Sequence, residues 1–389
     1  MRASRRPRRA WHRSPVGSAI RGPGIVAMSL MHQMGTRALE LGIPLSVQLD
    51  LTYRCNERCV HCYLDHEDHG EMTTSEMLDL LDQLSAAGVF FLTLSGGEIF
   101  MRQDLFAIVE HARKLQFSVK LKTNAVMIRE AKARRIAELG VDSVQISLYS
   151  HDAATQDEIT KLPGSFKRTI EGIRYLRDAG VKVSLANVLM AQNADHYKQV
   201  QALADDMGVG YTVDATITPM MDGDRGIVDL NMDPARLAGI MHDTSLLGDQ
   251  VERLLAPPSG PTPLEEAYKT LPCSAGHTAC YVSPYGDVFP CVQFPYKVGN
   301  VREQAFIDIW KHSPQLNDVR AIRVSDLEGC SSCVHGSSCT RCPGLAYLEG
   351  NMRGPSIQDC EKSFARTGVP SKNLQRKQGR EIPLQVLVA

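Results

Sequence analysis

The chain has 389 residues, an apolar fraction of 43% and a formal net charge of −1, which suits roughly two or three domains with a sizeable core. Seven arginines and no acid fall within the first 27 residues, so the remainder is mildly acidic and a nucleic-acid surface is excluded. No apolar run approaches the ~18 residues of a membrane span, so neither nucleic acid nor membrane is an expected partner.

The arginine-rich start, SRRPRRAW, is faintly similar to a twin-arginine export signal, but Arg21, Gly22, Pro23 and Gly24 interrupt the apolar stretch that should follow. Its composition cannot bury a core, so it reads as a disordered tail or as an over-long start with the initiator at Met28 rather than Met1. From Ser46 onward, short apolar runs alternate with helix-like segments. Residues 46–51, 89–94, 117–123, 143–148, 181–190 and 211–217 read as strands. The segments 73–88, 104–115, 129–140, 165–180 and 195–208 carry apolar residues at helical spacing. The first of these helices opens on a Thr/Ser cap with Glu76 nearby, and two of them end in Ala-Gly before a β-branched strand start. Six β-α units in series imply a parallel sheet, closed or partly closed, with ligands at the C-terminal ends of its strands.

After Thr218 the pattern breaks into turn- and linker-like sequence. Residues 280–291 read as a hairpin, and 305–322 as a helix interrupted at Pro314. The expected organisation is a basic, disordered segment over 1–40, a β/α core over 41–230, a helical or linker segment over 231–270, a cysteine-rich region over 271–365 and a tail over 366–389. The cysteine-rich region looks too irregular for a large apolar core, and metal could organise it instead.

The eleven cysteines are clustered: Cys55, Cys59 and Cys62, then none until Cys273, then eight up to Cys360. An odd count without a credible signal peptide points to reduced thiolates on metal in a reducing cytoplasm, not to a disulfide framework. Thiolates suit zinc or iron–sulfur clusters. A [4Fe–4S] cluster takes four cysteines, and three after the first strand leave one coordination position open for a small molecule. His66 and His69 read as a solvated loop behind that cluster.

C-x3-C-x2-C after the first strand, followed by Ser95-Gly96-Gly97-Glu98 after the second, resembles the radical S-adenosylmethionine (SAM) superfamily. The resemblance implies an α/β fold: a partial (β/α)6 radical SAM barrel followed by a small, irregular cysteine-rich iron–sulfur domain. It implies that the glycine turn approaches the methionine part of SAM, that the Glu98 carboxylate takes its ammonium, and that His61 packs near the adenine. Asn124 and Ser147, at the ends of the third and fourth strands, are either SAM contacts or strand-end caps. Asp214 and Tyr149 either face the substrate or are structural.

The later cysteines resemble the SPASM extension of peptide-modifying radical SAM enzymes, with one departure: two residues, not three, separate Cys339 from Cys342. By resemblance, Cys330, Cys333, Cys339 and Cys360 would hold one auxiliary cluster and Cys273, Cys291 and Cys342 another. Cys280 is then a fourth ligand, a packing thiol or a hydrogen-atom donor. The implied cofactors are three [4Fe–4S] clusters and SAM, which is cleaved reductively to a 5′-deoxyadenosyl radical that abstracts hydrogen from a substrate. The implied substrate is a ribosomally made peptide or small protein, and the implied electron donor a flavodoxin or ferredoxin. A separate peptide-recognition protein is expected, because the residues before the first strand are too few for a recognition domain. A sulfatase-maturating or haem-pathway enzyme is the first rival reading; a zinc-stapled binding protein, with no redox chemistry, is the second.

Overall fold

A computed structural model describes residues 30–247, 255, 258, 260–336 and 339–377. The arginine-rich start, and with it the choice between Met1 and Met28, lies outside the described residues. Six parallel strands form as expected, with their ends moved by up to three residues: β1 (Ser46–Asp50), β2 (Phe91–Ser95), β3 (Ser118–Thr123), β4 (Ser143–Ser147), β5 (Val183–Val188) and β6 (Gly210–Asp214). Each pairs with the next. The helix Thr74–Ala86 starts on a capping box between Thr73 and Glu76 and buries Met77, Leu80, Leu81 and Leu84.

Strand parity divides the side chains into two environments. Val47 and Leu49, Leu92 and Leu94, Val119 and Leu121, and Val144 and Ile146 face the helices and form one apolar core. The alternate positions, Gln48, Thr93, Lys120, Lys122, Gln145 and Ser184, face the other way and stay half-buried. Lys122 Nζ on β3 donates to Gln48 Oε1 on β1 at 3.0 Å, across β2, and Gln145 Nε2 on β4 donates to Thr212 Oγ1 on β6 at 3.3 Å, across β5. Next-but-one strands reach each other only if the sheet curls, so the polar face lines the lumen of a partial barrel.

Two expectations need correction. The segment given as disordered to residue 40 is helical from Leu30 to Leu41; the indole of Trp310 donates to Gly42 O at 2.6 Å and holds its end. The cysteine-rich region is not without an apolar core. The expected hairpin, β7 (Ala279–Val282) and β8 (Asp287–Phe289), continues the barrel sheet: β7 pairs parallel with β1 on the side opposite β2, and β9 (Gly299–Asn300) completes nine strands in the order β6-β5-β4-β3-β2-β1-β7-β8-β9. Val282, Val288, Phe306, Ile309, Trp310 and Leu316 join the same core as the barrel strands. The helix expected over 305–322 is broken at Pro314 into Phe306–His312 and Pro314–Ala321.

A buried polar network crosses the β1–β7 seam. Tyr281 on β7 donates to Asp50 Oδ2 at 3.0 Å, and its hydroxyl lies 2.7 Å from that of Tyr53. Gln48 Nε2 donates to the other Asp50 oxygen at 3.1 Å. Asp50 is fully buried; burial pushes its carboxyl from the ordinary 3.8 up to about 6, against the opposing help of Gln48, Tyr281, Lys122 and Ser95.

Two predictions follow from parity and burial. Leu49→Ala, on the core face, should cost about 2–5 kcal/mol, whereas Thr93→Ala, on the lumen face, should stay within about 0.5 kcal/mol, both read from denaturant unfolding; equal losses would contradict the two-faced sheet. Because the folded state holds the Asp50 proton more tightly than the unfolded chain, stability falls as pH rises from about 4 and the full penalty, about 3 kcal/mol, is reached above about pH 6. Asp50→Asn should therefore raise the melting temperature at pH 7.5, and the gain should shrink toward pH 5.5.

Candidate active site and metal centres

The loop between β1 and the helix Thr74–Ala86 carries Cys55, Cys59 and Cys62, all half-buried and all lining one cavity of about 570 Å³ at the C-terminal ends of the strands. Two supports hold this loop. On one side is the turn after β2: Gly97 N donates to Thr52 O at 2.8 Å and Glu98 N to Arg54 O at 2.9 Å. The fit is tight at the backbone. A Cβ on Gly96, which sits at φ +134°, would lie 2.2 Å from Thr52 O, and one on Gly97 2.4 Å from Arg54 O. On the other side, Arg58 N donates to Thr160 O and Val60 N to Ile159 O. These carbonyls end the helix Ala153–Thr160, which sequence periodicity did not reveal because its eight residues are too few for a clear apolar stripe.

Of the other expected SAM contacts, His61, Ser95, Gly96, Gly97, Asn124 and Ser147 line the same cavity, as do Tyr149 and Asp214. Glu98 does not. Its carboxylate is fully buried beneath the turn, where it accepts from Thr123 Oγ1 at 2.8 Å, Asn124 N at 2.8 Å and Phe100 N at 3.0 Å. It braces the turn instead of presenting a free oxygen to the cavity, and desolvation raises its pKa. His66 borders the cavity, while His69 lies at the surface 2.7 Å from Asp65.

The residues present fit a cluster and a nucleotide. Among the described residues, Glu57 Oε1, His61 Nδ1 and His66 Nδ1 are buried without a hydrogen-bond partner, the kind of position a polar ligand satisfies. His61 packs edge-on against Tyr149 with ring centroids 4.6 Å apart, and burial lowers its pKa to about 4, so it stands neutral beside the cavity. Burial pushes the Cys55 thiol up to about 12 and the Cys62 thiol to about 11. Thiolates are costly there unless a metal compensates them.

The later cysteines divide into two groups. Cys330, Cys333, Cys339 and Cys360 surround a separate cavity of about 180 Å³ with Arg341, Asp359 and Ser363. Cys342 points away from it, with its thiol 3.9 Å from Gln293 Oε1; it and Cys273 lie near enough to Cys291 for their charges to interact. Cys280 is in the apolar core, opposite Val47 in the β1–β7 register, and buried to 4% exposure. Gln293 also donates to Thr218 Oγ1 at 2.9 Å at the rim of the main cavity. Sequence reading missed Gln293, which carries no spacing signature; Lys122, beside Asn124 at the end of the third strand, also lines the cavity. All eleven cysteines are free, and among the described residues no helix is long and apolar enough to cross a membrane.

The radical SAM superfamily profile matches residues 49–206, and the SPASM iron–sulfur cluster-binding domain matches 273–343. The chain is 30% identical over 351 residues to the mycofactocin maturase MftC of Mycobacterium ulcerans (86% of this chain, 92% of that protein), and 28% identical over 331 residues to the AdoMet-dependent heme synthase of Methanosarcina barkeri (78% and 92%). Among solved structures, Streptococcus suis SuiB bound to its precursor peptide SuiA superposes with a TM-score of 0.66 at 19% identity, covering 84% of this chain and 79% of that one. A barrel with three thiols at its mouth, extended by a second cysteine-bearing region on the same sheet, thus has both its parts accounted for: the chain belongs to the radical SAM superfamily of enzymes, which work with [4Fe–4S] clusters and SAM, and carries a C-terminal SPASM iron–sulfur domain.

Proposed function

We propose that this enzyme modifies a peptide. Cys55, Cys59 and Cys62 hold the SAM-binding cluster. Ser95, Gly96 and Gly97 receive the methionine part of SAM, while His61, Asn124 and Ser147 flank the nucleoside. Cys330, Cys333, Cys339 and Cys360 hold one auxiliary cluster, and Cys273, Cys291 and Cys342 the other. Bound together, cluster and SAM supply reductive cleavage of the sulfonium and a radical able to abstract hydrogen. The chain's own contribution is positional. Glu98 fixes the glycine turn from below, the Tyr149–His61 pair walls the cavity, and Tyr281 ties the auxiliary hairpin to Asp50. A separate recognition protein delivering the peptide is part of this reading.

The observation that supports a peptide is the chemistry of the lumen. Gln48, Gln145, Thr212, Thr218 and Gln293 line the cavity with amide and hydroxyl groups, which pair with peptide amides as both donors and acceptors. The likeness to a maturase points the same way. The heme synthase relative favours a second reading, a haem precursor. Among the described lining residues, however, Lys122 is the one lysine and there is no arginine, a poor match for a macrocycle bearing several carboxylates.

An anaerobic assay with short peptides and with carboxylated haem precursors, read by mass spectrometry, should show SAM-dependent mass change in a peptide; turnover confined to the macrocycle would sink the peptide reading. Replacing Cys55, Cys59 and Cys62 together by Ala should abolish 5′-deoxyadenosine formation and lower iron from about twelve to about eight atoms per chain, since each cubane holds four. Gly97→Ala, forced against Arg54 O, should weaken the spectral response of the cluster to SAM while leaving the auxiliary iron in place; an unaltered response would show that the tight turn does not set the SAM site.

A further inference from the structure

Outside the barrel, on the far side of the cysteine loop from the cavity, lies a shallow cleft of about 430 Å³. Its floor is Met101, Val126, Met127 and Leu162; its rim carries Arg129 and Arg168. Asn56 forms its inner wall and separates it from the main cavity: Asn56 lines the cleft, and its chain neighbour Cys55 lines the cavity. Asn56 is held in place by Asn124 Nδ2, which donates to its Oδ1 at 2.8 Å, and that same oxygen lies 3.9 Å from Cys55 Sγ. The cleft therefore ends one residue from a cysteine of the SAM-binding loop.

Among the described residues the two arginines are held by backbone carbonyls and form no direct ion pair, although Arg168 lies near enough to Glu57 for their charges to interact. Arg129 donates to the carbonyls of Val126 and Ile128, and Arg168 to those of Pro163 and Gly164. The neighbouring carboxylate of Asp157 is taken up by Gly164, Ser165 and Phe166. Among the described residues no acid lines the cleft beside these two guanidinia; exposed Lys161 and Lys167, and exposed Glu130 next to Arg129, are their neighbours along the chain. This is a local positive patch on a mildly acidic protein, around an apolar floor, the pattern of a surface that steers and seats an acidic partner.

The geometry points to this cleft as the docking site of a small acidic one-electron carrier protein with an exposed redox edge. The proposal rests on the reading that Cys55, Cys59 and Cys62 hold the reducible cluster. The reduced carrier would lose one electron to the cluster that Cys55, Cys59 and Cys62 would hold, with no proton or group transferred. The cavity side stays free for SAM and substrate, because electrons enter through Asn56 from the opposite face.

The test uses the full chain with its clusters, the double variant Arg129→Glu/Arg168→Glu and, with the arginines intact, Met127→Asp. Each is driven either by a reduced bacterial flavodoxin or by dithionite, with 5′-deoxyadenosine as the product measured. Affinity for flavodoxin is measured directly at low and high salt. The charge-reversal variant should lose about tenfold or more in flavodoxin affinity and lose the salt dependence seen in the parent. Its flavodoxin-driven rate should fall while its dithionite-driven rate is unchanged, and Met127→Asp should show the same split. Unchanged flavodoxin affinity and rate in both variants overturns the proposal. So does a loss of peptide affinity in place of flavodoxin affinity, which would give the cleft to the substrate. Absence of dithionite-driven cleavage in the parent enzyme would instead defeat the underlying cluster reading.

Discussion

Everything at the mouth of this barrel depends on a contact between two stretches of backbone. The turn after β2 lies so close to Thr52–Arg54 that neither Gly96 nor Gly97 has room for a Cβ, and the two strands of chain exchange hydrogen bonds there. That contact fixes where the cysteine loop leaves β1, and hence where three thiols can converge. The glycines are needed for the protein's own packing as much as for a ligand. Glu98 belongs to the same construction. With three donors on its carboxylate, it is a buried brace whose removal would leave Thr123 and two backbone N–H groups unsatisfied.

The sequence made the barrel legible because its strands and helices have different periods. Val47 and Leu49 against Gln48 show a strand with two faces, and Met77, Leu80, Leu81 and Leu84 show a helix with one. That Cys55, Cys59 and Cys62 belong together was legible for a different reason: thiols crowded at C-x3-C-x2-C have few other uses, and all three line one cavity. What escaped was either too short or too local. The helix Ala153–Thr160 contributes two carbonyls to the cysteine loop, and a carbonyl has no sequence signature. The helix Leu30–Leu41 buries only Ala38 among its residues, so its pattern offered little to read. Glu98 was legible as a residue but not as a direction, since nothing in a sequence says whether a carboxylate points into a cavity or beneath a turn.

The cysteine-rich region was misjudged for an instructive reason. Taken alone, its short strands and many turns suggest a module without a large apolar core, which metal could organise. In the fold, β7 adds to the free edge of β1, and Val282, Val288 and Trp310 enter a core that the barrel had already built. A strand edge is costly to leave open; here the second half of the chain covers it. The same arrangement puts Cys280 on the core face of β7 and Tyr281 on the lumen face, because neighbouring residues in a strand point in opposite directions.

That seam has a consequence for how the two halves work together. A domain joined by a linker can drift relative to its neighbour, but one joined by parallel strand pairing cannot move without breaking the ladder. Tyr281 adds side-chain hydrogen bonds to Asp50 and Tyr53 across the same line. Cys291, which follows β8, and Gln293, at the cavity rim, are thereby held in fixed register with Cys55, Cys59 and Cys62, which follow β1. The distance between the front of the barrel and the auxiliary region is set by backbone geometry.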